Sequence, residues 1–140
     1  MATYLTGPVQ LGTGLGNTGS DTGYVTQSQT STISFDATLV QNATFTLPAN
    51  TQIIDFYVDV TTAYNSATSA TLSAGTASGG TQYLSSIDAK STGRKANGYS
   101  AAQLTAMANI STNTSVVVTV TSVGQPTAGA GRITILYAQK

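Results

Sequence analysis

The sequence has no cysteine, no histidine, no tryptophan and no glutamate. Without cysteine there is no disulfide, no thiolate nucleophile and no thiolate metal ligand. Without histidine the chain lacks the usual general base near neutral pH and the commonest metal ligand. Charge is equally scarce. Five lysines and arginines face five aspartates, 7% of the residues, where a typical domain carries about 25%. The formal net charge is zero. Such a balance does not steer a polyanion or an acidic membrane surface, so neither nucleic acid nor membrane is expected as a partner. Weak mutual repulsion also eases association, which suits a subunit that ends bound to something. The opening MATYLTGPVQ has no basic stretch followed by an apolar one and does not look like a signal peptide. No apolar run approaches the ~18 residues of a membrane span.

What replaces charge is hydroxyl. The 140 residues include 26 threonines and 15 serines. Threonine is β-branched and suits a pleated, half-exposed surface, so the composition favours strands over helices. The length fits one domain, able to bury about two-thirds of its unfolded surface. Residues 1–29 stand apart. The run Leu11-Gly12-Thr13-Gly14-Leu15-Gly16-Asn17-Thr18-Gly19-Ser20 offers few anchors for a core and predicts an extended N-terminal arm, held at most by Leu5, Val9, Leu11, Tyr24 and Val25.

From residue 30 to 140 the pattern predicts a sandwich domain. Ile33, Phe35, Ala37 and Leu39 alternate with polar residues as in a half-buried strand. Thr44–Leu47 is a short strand, and Pro48-Ala49-Asn50 a turn. The clearest strand runs from Ile53 to Thr62, with Ile54, Phe56, Val58 and Val60 on one face and Asp55, Tyr57, Asp59 and Thr61 on the other. Further strands are expected at 70–74, 82–87, 115–123 and 132–138. Residues 88–99 read as an irregular polar loop, and 124–131 as a hairpin loop joining the last two strands. Ser100 and Gln103 form a capping box, predicting a short helix with Leu104 and Met107 on its buried face. The fold class expected is all-β: a jelly-roll-like antiparallel β-sandwich with an extended arm and one short helix.

The chemistry-bearing residues are few. Asp55 and Asp59 share a strand face, but four residues at ~3.3 Å each hold them ~13 Å apart, too far for a glycosidase pair. Asp21 and Asp88 lack the spacing of a calcium loop. Gly12-Thr13-Gly14-Leu15-Gly16 lacks the lysine and flanking elements of a phosphate loop. No enzyme activity, metal or cofactor is therefore expected. Residues 88–95 hold the only local concentration of charge, with Lys90, Arg94 and Lys95. Tyrosine packs its ring and still offers its hydroxyl, a profile enriched at interfaces. The residues expected to meet a partner are Leu11, Leu15, Tyr24, Tyr57, Lys90, Arg94, Lys95 and Arg132.

Two segments carry a family likeness. One is LPANTQII, followed by VDVTTAYNS and then ATLSAGT, from Leu47 to Thr76; the other is PTAGAGRITILY, from Pro126 to Tyr137. In order and style, over residues 44–138, they resemble small virion structural proteins of tailed bacteriophages, of the capsid cement or decoration type. The resemblance implies a β domain on the outer surface of the virion head, bridging neighbouring major capsid protein subunits as a homodimer or homotrimer, with its arm along the shell. Two other readings stay open: a tail or fibre module that recognises a host-surface receptor or glycan, and a hydrolase that works with aspartates alone.

Overall fold

The computed structural model describes residues 24–35 and 38–139. Leu11 and Leu15, with residues 1–23 of the expected arm, lie outside the described residues. Among the described residues, eight strands and one helix follow in chain order. They are β1 (Val25–Ser34), β2 (Val40–Leu47), β3 (Thr51–Thr62), β4 (Ser69–Gly75), β5 (Leu84–Asp88), β6 (Gly93–Lys95), α1 (Ala101–Ala108), β7 (Thr114–Val123) and β8 (Ala130–Gln139). One sheet has the order β1-β8-β3-β6 and the other β2-β7-β4-β5, with every pairing antiparallel. Pairs β1·β8, β2·β7, β3·β6 and β4·β5 are the rungs of one long folded-back ribbon. Rolling that ribbon so that β8 meets β3 and β7 meets β4 gives the jelly roll.

The core lies between the sheets. Alternation puts Ile53, Phe56, Val58 and Val60 of β3 and Ile133, Ile135 and Tyr137 of β8 against Phe45 and Leu47 of β2, Leu72 of β4 and Val116, Val118 and Val120 of β7. At the β1 margin the inward side chains become amides. Gln29 Nε2 donates to Thr46 O of β2 at 2.8 Å and to Tyr137 Oη at 3.2 Å, and Tyr137 Oη donates to Gln27 Oε1 at 3.2 Å. These bonds tie the two sheets along one open side without any charge.

Several local expectations are corrected. The strand β1 starts at Val25, within the stretch read as arm, and ends at Ser34; the alternation read through Leu39 spans the passage to β2, and Leu39 is exposed. In β3 the register against β8 shifts between Ile53 and Asp55. The extra residue is Ile54, which swings to the surface while Ile53 takes its core place. Within the expected loop 88–99, residues Gly93–Lys95 pair with β3 as β6. Residues 124–129 are no hairpin, because β7 and β8 lie in different sheets; the segment crosses from one sheet to the other.

The helix forms as its capping box predicts: Ser100 Oγ accepts from Gln103 N at 3.2 Å, and Gln103 Oε1 accepts from Ser100 N at 2.9 Å. Its buried face is Gln103 and Met107, four residues apart, while Leu104 lies a helical step round and is exposed. Gln103 is buried because its Nε2 still has partners, Thr81 O at 3.1 Å and Ser85 Oγ at 3.3 Å.

The crossing between sheets is seated on Tyr64. Its ring is buried, and its hydroxyl donates to Gln41 Oε1 at 2.8 Å. Asn65 Oδ1 accepts from Thr127 N at 2.8 Å and from Ala128 N at 3.1 Å, drawing the crossing down. A Cβ on Gly129 would lie 2.5 Å from the Tyr64 ring. Replacing Gly129 with Ala should therefore destabilise the fold by ~1–3 kcal/mol, the usual cost of overpacking. Urea unfolding checks this; an unchanged midpoint would mean that the ring is not held against the crossing.

Candidate functional site

The outer face of the β1-β8-β3-β6 sheet carries the densest polar arrangement among the described residues. Strand β3 pairs with β8 on one side and β6 on the other, so Asp59 is directly opposite both Arg132 and Arg94. Directly opposed side chains meet across a ladder. Arg94 grips Asp59 with two bonds, Nε to Oδ1 at 2.7 Å and Nη2 to Oδ2 at 3.0 Å. Arg132 Nη2 adds a third, to Oδ2 at 3.2 Å. The Arg94 guanidinium also lies over the Tyr57 ring, 5.1 Å from its centroid. The Arg94 hydrogen bond holds the Asp59 carboxyl at about 2, down from 3.8, with Arg132 assisting and partial desolvation opposing. Asp59 is thus the hub of an ion cluster.

Beside this cluster the edge of β3 outruns the three-residue β6, leaving the backbone of Phe56 without a strand partner on that side. Side chains replace the strand. Phe56 N donates to Asp55 Oδ1 at 2.8 Å and to Tyr99 Oη at 3.2 Å, and Asn97 Nδ2 donates to Phe56 O. Tyr99 Oη in turn donates to Asp55 Oδ1 at 2.5 Å. Burial, then the Asp55 bond, push the Tyr99 phenol up to about 12. Tyr57, Arg94, Asp55, Asn97 and Tyr99 line a shallow depression here. The depression is open and the groups in it are engaged with one another; Asn97 Oδ1 is the exception, a buried oxygen without a partner.

Of the residues expected at an interface, the structure brings together Tyr57, Arg94 and Arg132. It separates the other cations from them. Neighbours on a strand point to opposite faces, so Lys95 turns away from Arg94. Its Nζ donates to Ser91 Oγ at 2.6 Å and lies 3.9 Å from Asp88 Oδ2. Lys90 Nζ reaches Thr68 O at 3.3 Å. Asp88 accepts from Lys90 N and Ser91 Oγ, and these bonds lower its pKa. Asp88, Lys90 and Lys95 therefore brace a loop, and Arg94 alone of the 88–95 cations joins the Asp59 cluster. Tyr24 is exposed just before β1, at the opposite edge of the sheet from Arg94. Asp55, Asn97 and Tyr99 were missed as a group. No local pattern marks them; only the shortness of β6, invisible in the sequence, explains why they converge.

The outer face of the other sheet is nearly free of charge. Val40, Thr44 and Thr46 of β2, Val117 and Thr121 of β7, and Thr71 of β4 lie on it, with Asp88 at its rim. The turn at Ser78 and Gly79 folds onto this face. Gly79 N donates to Thr119 Oγ1 at 2.9 Å, and Ser78 Oγ and Thr119 Oγ1 donate to Asn42 Oδ1 at 3.0 and 2.8 Å. Among the described residues no group of three or more histidines, cysteines, aspartates or glutamates comes together to hold a metal. No protein-family model, curated protein or solved structure matches the chain.

The lowered Asp59 pKa links the cluster to pH. A carboxylate held below its unfolded value stabilises the fold above that value, and the contribution is lost as the pH falls. Stability from Asp59 should be intact above about 3.8 and disappear as the pH drops through about 2. In Asp59→Asn that part of the acid limb should flatten, checked by thermal unfolding across the acid range. Parallel curves for the two proteins would show that the cluster is not formed.

Proposed function

We propose that this chain is a virion structural protein, a capsid cement or decoration protein that sits on the outer surface of a phage head, bridges neighbouring major capsid protein subunits and performs no chemistry. One observation carries the reading. The outer face of β2-β7-β4-β5 is built from threonine, serine, valine and amide side chains, and on the outer face of β1-β8-β3-β6, where β1 presents threonine and serine, the principal ion cluster is internally paired. Interface cores are depleted of charge and enriched in tyrosine and arginine. Tyr57, half-buried Leu136 and the Arg94–Asp59–Arg132 cluster give the β1-β8-β3-β6 face that character. The resemblance of residues 44–138 to phage cement proteins supplies the partner, and the jelly roll agrees with what it implies. A clamp with several contacts gains affinity because each later contact is effectively intramolecular.

A second reading, a tail or fibre module for a glycan or receptor, is favoured by the depression at Tyr57 and Tyr99, where aromatic rings adjoin Asp55 and Arg94. Co-sedimentation separates the two. The purified chain mixed with empty shells of the same virus should pellet with them at a fixed ratio. Tyr57→Ser should weaken that binding roughly tenfold or more, as loss of an interface aromatic does. A chain that ignores shells and binds host cells would replace the first reading with the second.

A further inference from the structure

Among the described residues the two sheets have four edges, β1 and β6 in one and β2 and β5 in the other. Unpaired edges invite another strand, and proteins usually blunt them. Three of these are blunted. β6 is three residues long and carries Arg94 and Lys95. β5 is broken by a register shift against β4, with Ser86 at φ 57°. On β2, carbonyls are capped by side chains: Thr38 Oγ1 donates to Val40 O at 2.9 Å and Gln29 Nε2 to Thr46 O at 2.8 Å.

β1 is different. It runs ten residues in unbroken register with β8, with no proline, no charge and no bulge. Phe35 N donates to Gly129 O at 2.8 Å, which sets the phase of the ladder. Antiparallel pairs alternate between bonded and non-bonded, so the odd-numbered residues of β1 bond β8. The N–H and C=O groups of Thr26, Ser28, Thr30, Thr32 and Ser34 therefore face outward from the edge. Among the described residues the side-chain bond to these groups is Ser31 Oγ to Thr32 O, long at 3.5 Å. Side chains at the five positions are all exposed threonine or serine.

This edge is self-complementary. Its outward-facing residues are symmetric about Thr30. An antiparallel copy turned about a two-fold axis there sets Thr30 against Thr30, Ser28 against Thr32 and Thr26 against Ser34. Every outward N–H then meets a C=O, and no like charges face each other. Such a two-fold contact is closed, so it stops at a dimer. We infer that the chain forms a homodimer by antiparallel pairing of β1 with β1 of a second copy, joining two four-stranded sheets into one of eight. The inference does not rest on the proposed function. It names the second copy as occupant because the edge matches itself in hydrogen bonding, length and charge.

Light scattering on the full chain over a concentration series tests it. The mass should move from monomer to dimer as concentration rises. Thr30→Lys places two cations face to face and should weaken the dimer roughly tenfold or more. Ser28→Lys with Thr32→Lys should do the same. Ser28→Lys with Thr32→Asp should restore it, because residue 28 of one copy faces residue 32 of the other. All these side chains are exposed, and circular dichroism confirms that each variant is folded. A trimer, a dimer indifferent to Thr30→Lys, or failure of the charge-swapped pair to restore association would overturn the inference. So would a monomer at every concentration; if that monomer still bound shells, the edge would belong to a capsid strand. A dimer that ignored shells would leave the inference standing and remove the proposed function.

Discussion

The insertion of β8 between β1 and β3 is the constraint on which the rest of the structure depends. The last strand of the chain has to find the first on one side and the third on the other. Until it does, neither sheet margin nor the core beneath is complete, because Ile133 and Ile135 are fully buried between the layers. Such distant pairings make folding slow, since loop closure precedes the contacts that offset it. The same insertion sets the surface. It brings Arg132 opposite Asp59 and so completes the ion cluster that Arg94 of β6 begins. It also occupies one edge of β1 and, among the described residues, leaves the other without a strand partner.

A chain with so few charges satisfies its buried polar groups, Asn97 Oδ1 apart, with amides and hydroxyls. Gln27, Gln29 and Tyr137 close the side between β1 and β2. Gln41 and Tyr64 anchor the crossing from β7 to β8, and Gln103 ties α1 to the segment before β5. Burying neutral groups that keep their hydrogen bonds costs far less than burying ions. The exterior then has little that must stay wet, which links composition to the contact-making role proposed above. Arg94, Asp59 and Arg132 fit this pattern, because they enter any contact already paired.

Much of the fold was legible because the period-two pattern is strong. The positions of β3, β4, β7 and β8, the turn at Pro48-Ala49-Asn50 and the Ser100/Gln103 cap all follow from local sequence. What escaped depends on partners distant in the chain. Ile54 looks like a core residue until β8 imposes a bulge. Leu104 looks buried until Gln103 finds Thr81 and Ser85. Residues 124–131 look like a hairpin because β7 and β8 are adjacent in sequence, and only the roll puts them in separate sheets. Tyr57, Arg94 and Arg132 were each legible as surface candidates, but their meeting through Asp59 rests on the β3·β6 and β3·β8 registers. Lys90 and Lys95 group with Arg94 by proximity in sequence, but strand alternation turns Lys95 away and Lys90 lies in the loop before β6, reaching Thr68 O.

In the role proposed above, this charge-poor jelly roll is a surface built to be covered. The most direct test is an electron cryo-microscopy reconstruction of heads saturated with the chain. The proposed role predicts jelly-roll density on the outer surface, across the boundary between major capsid subunits, with the Tyr57 face turned into the contact. Bare heads, or density confined to the tail, would contradict it.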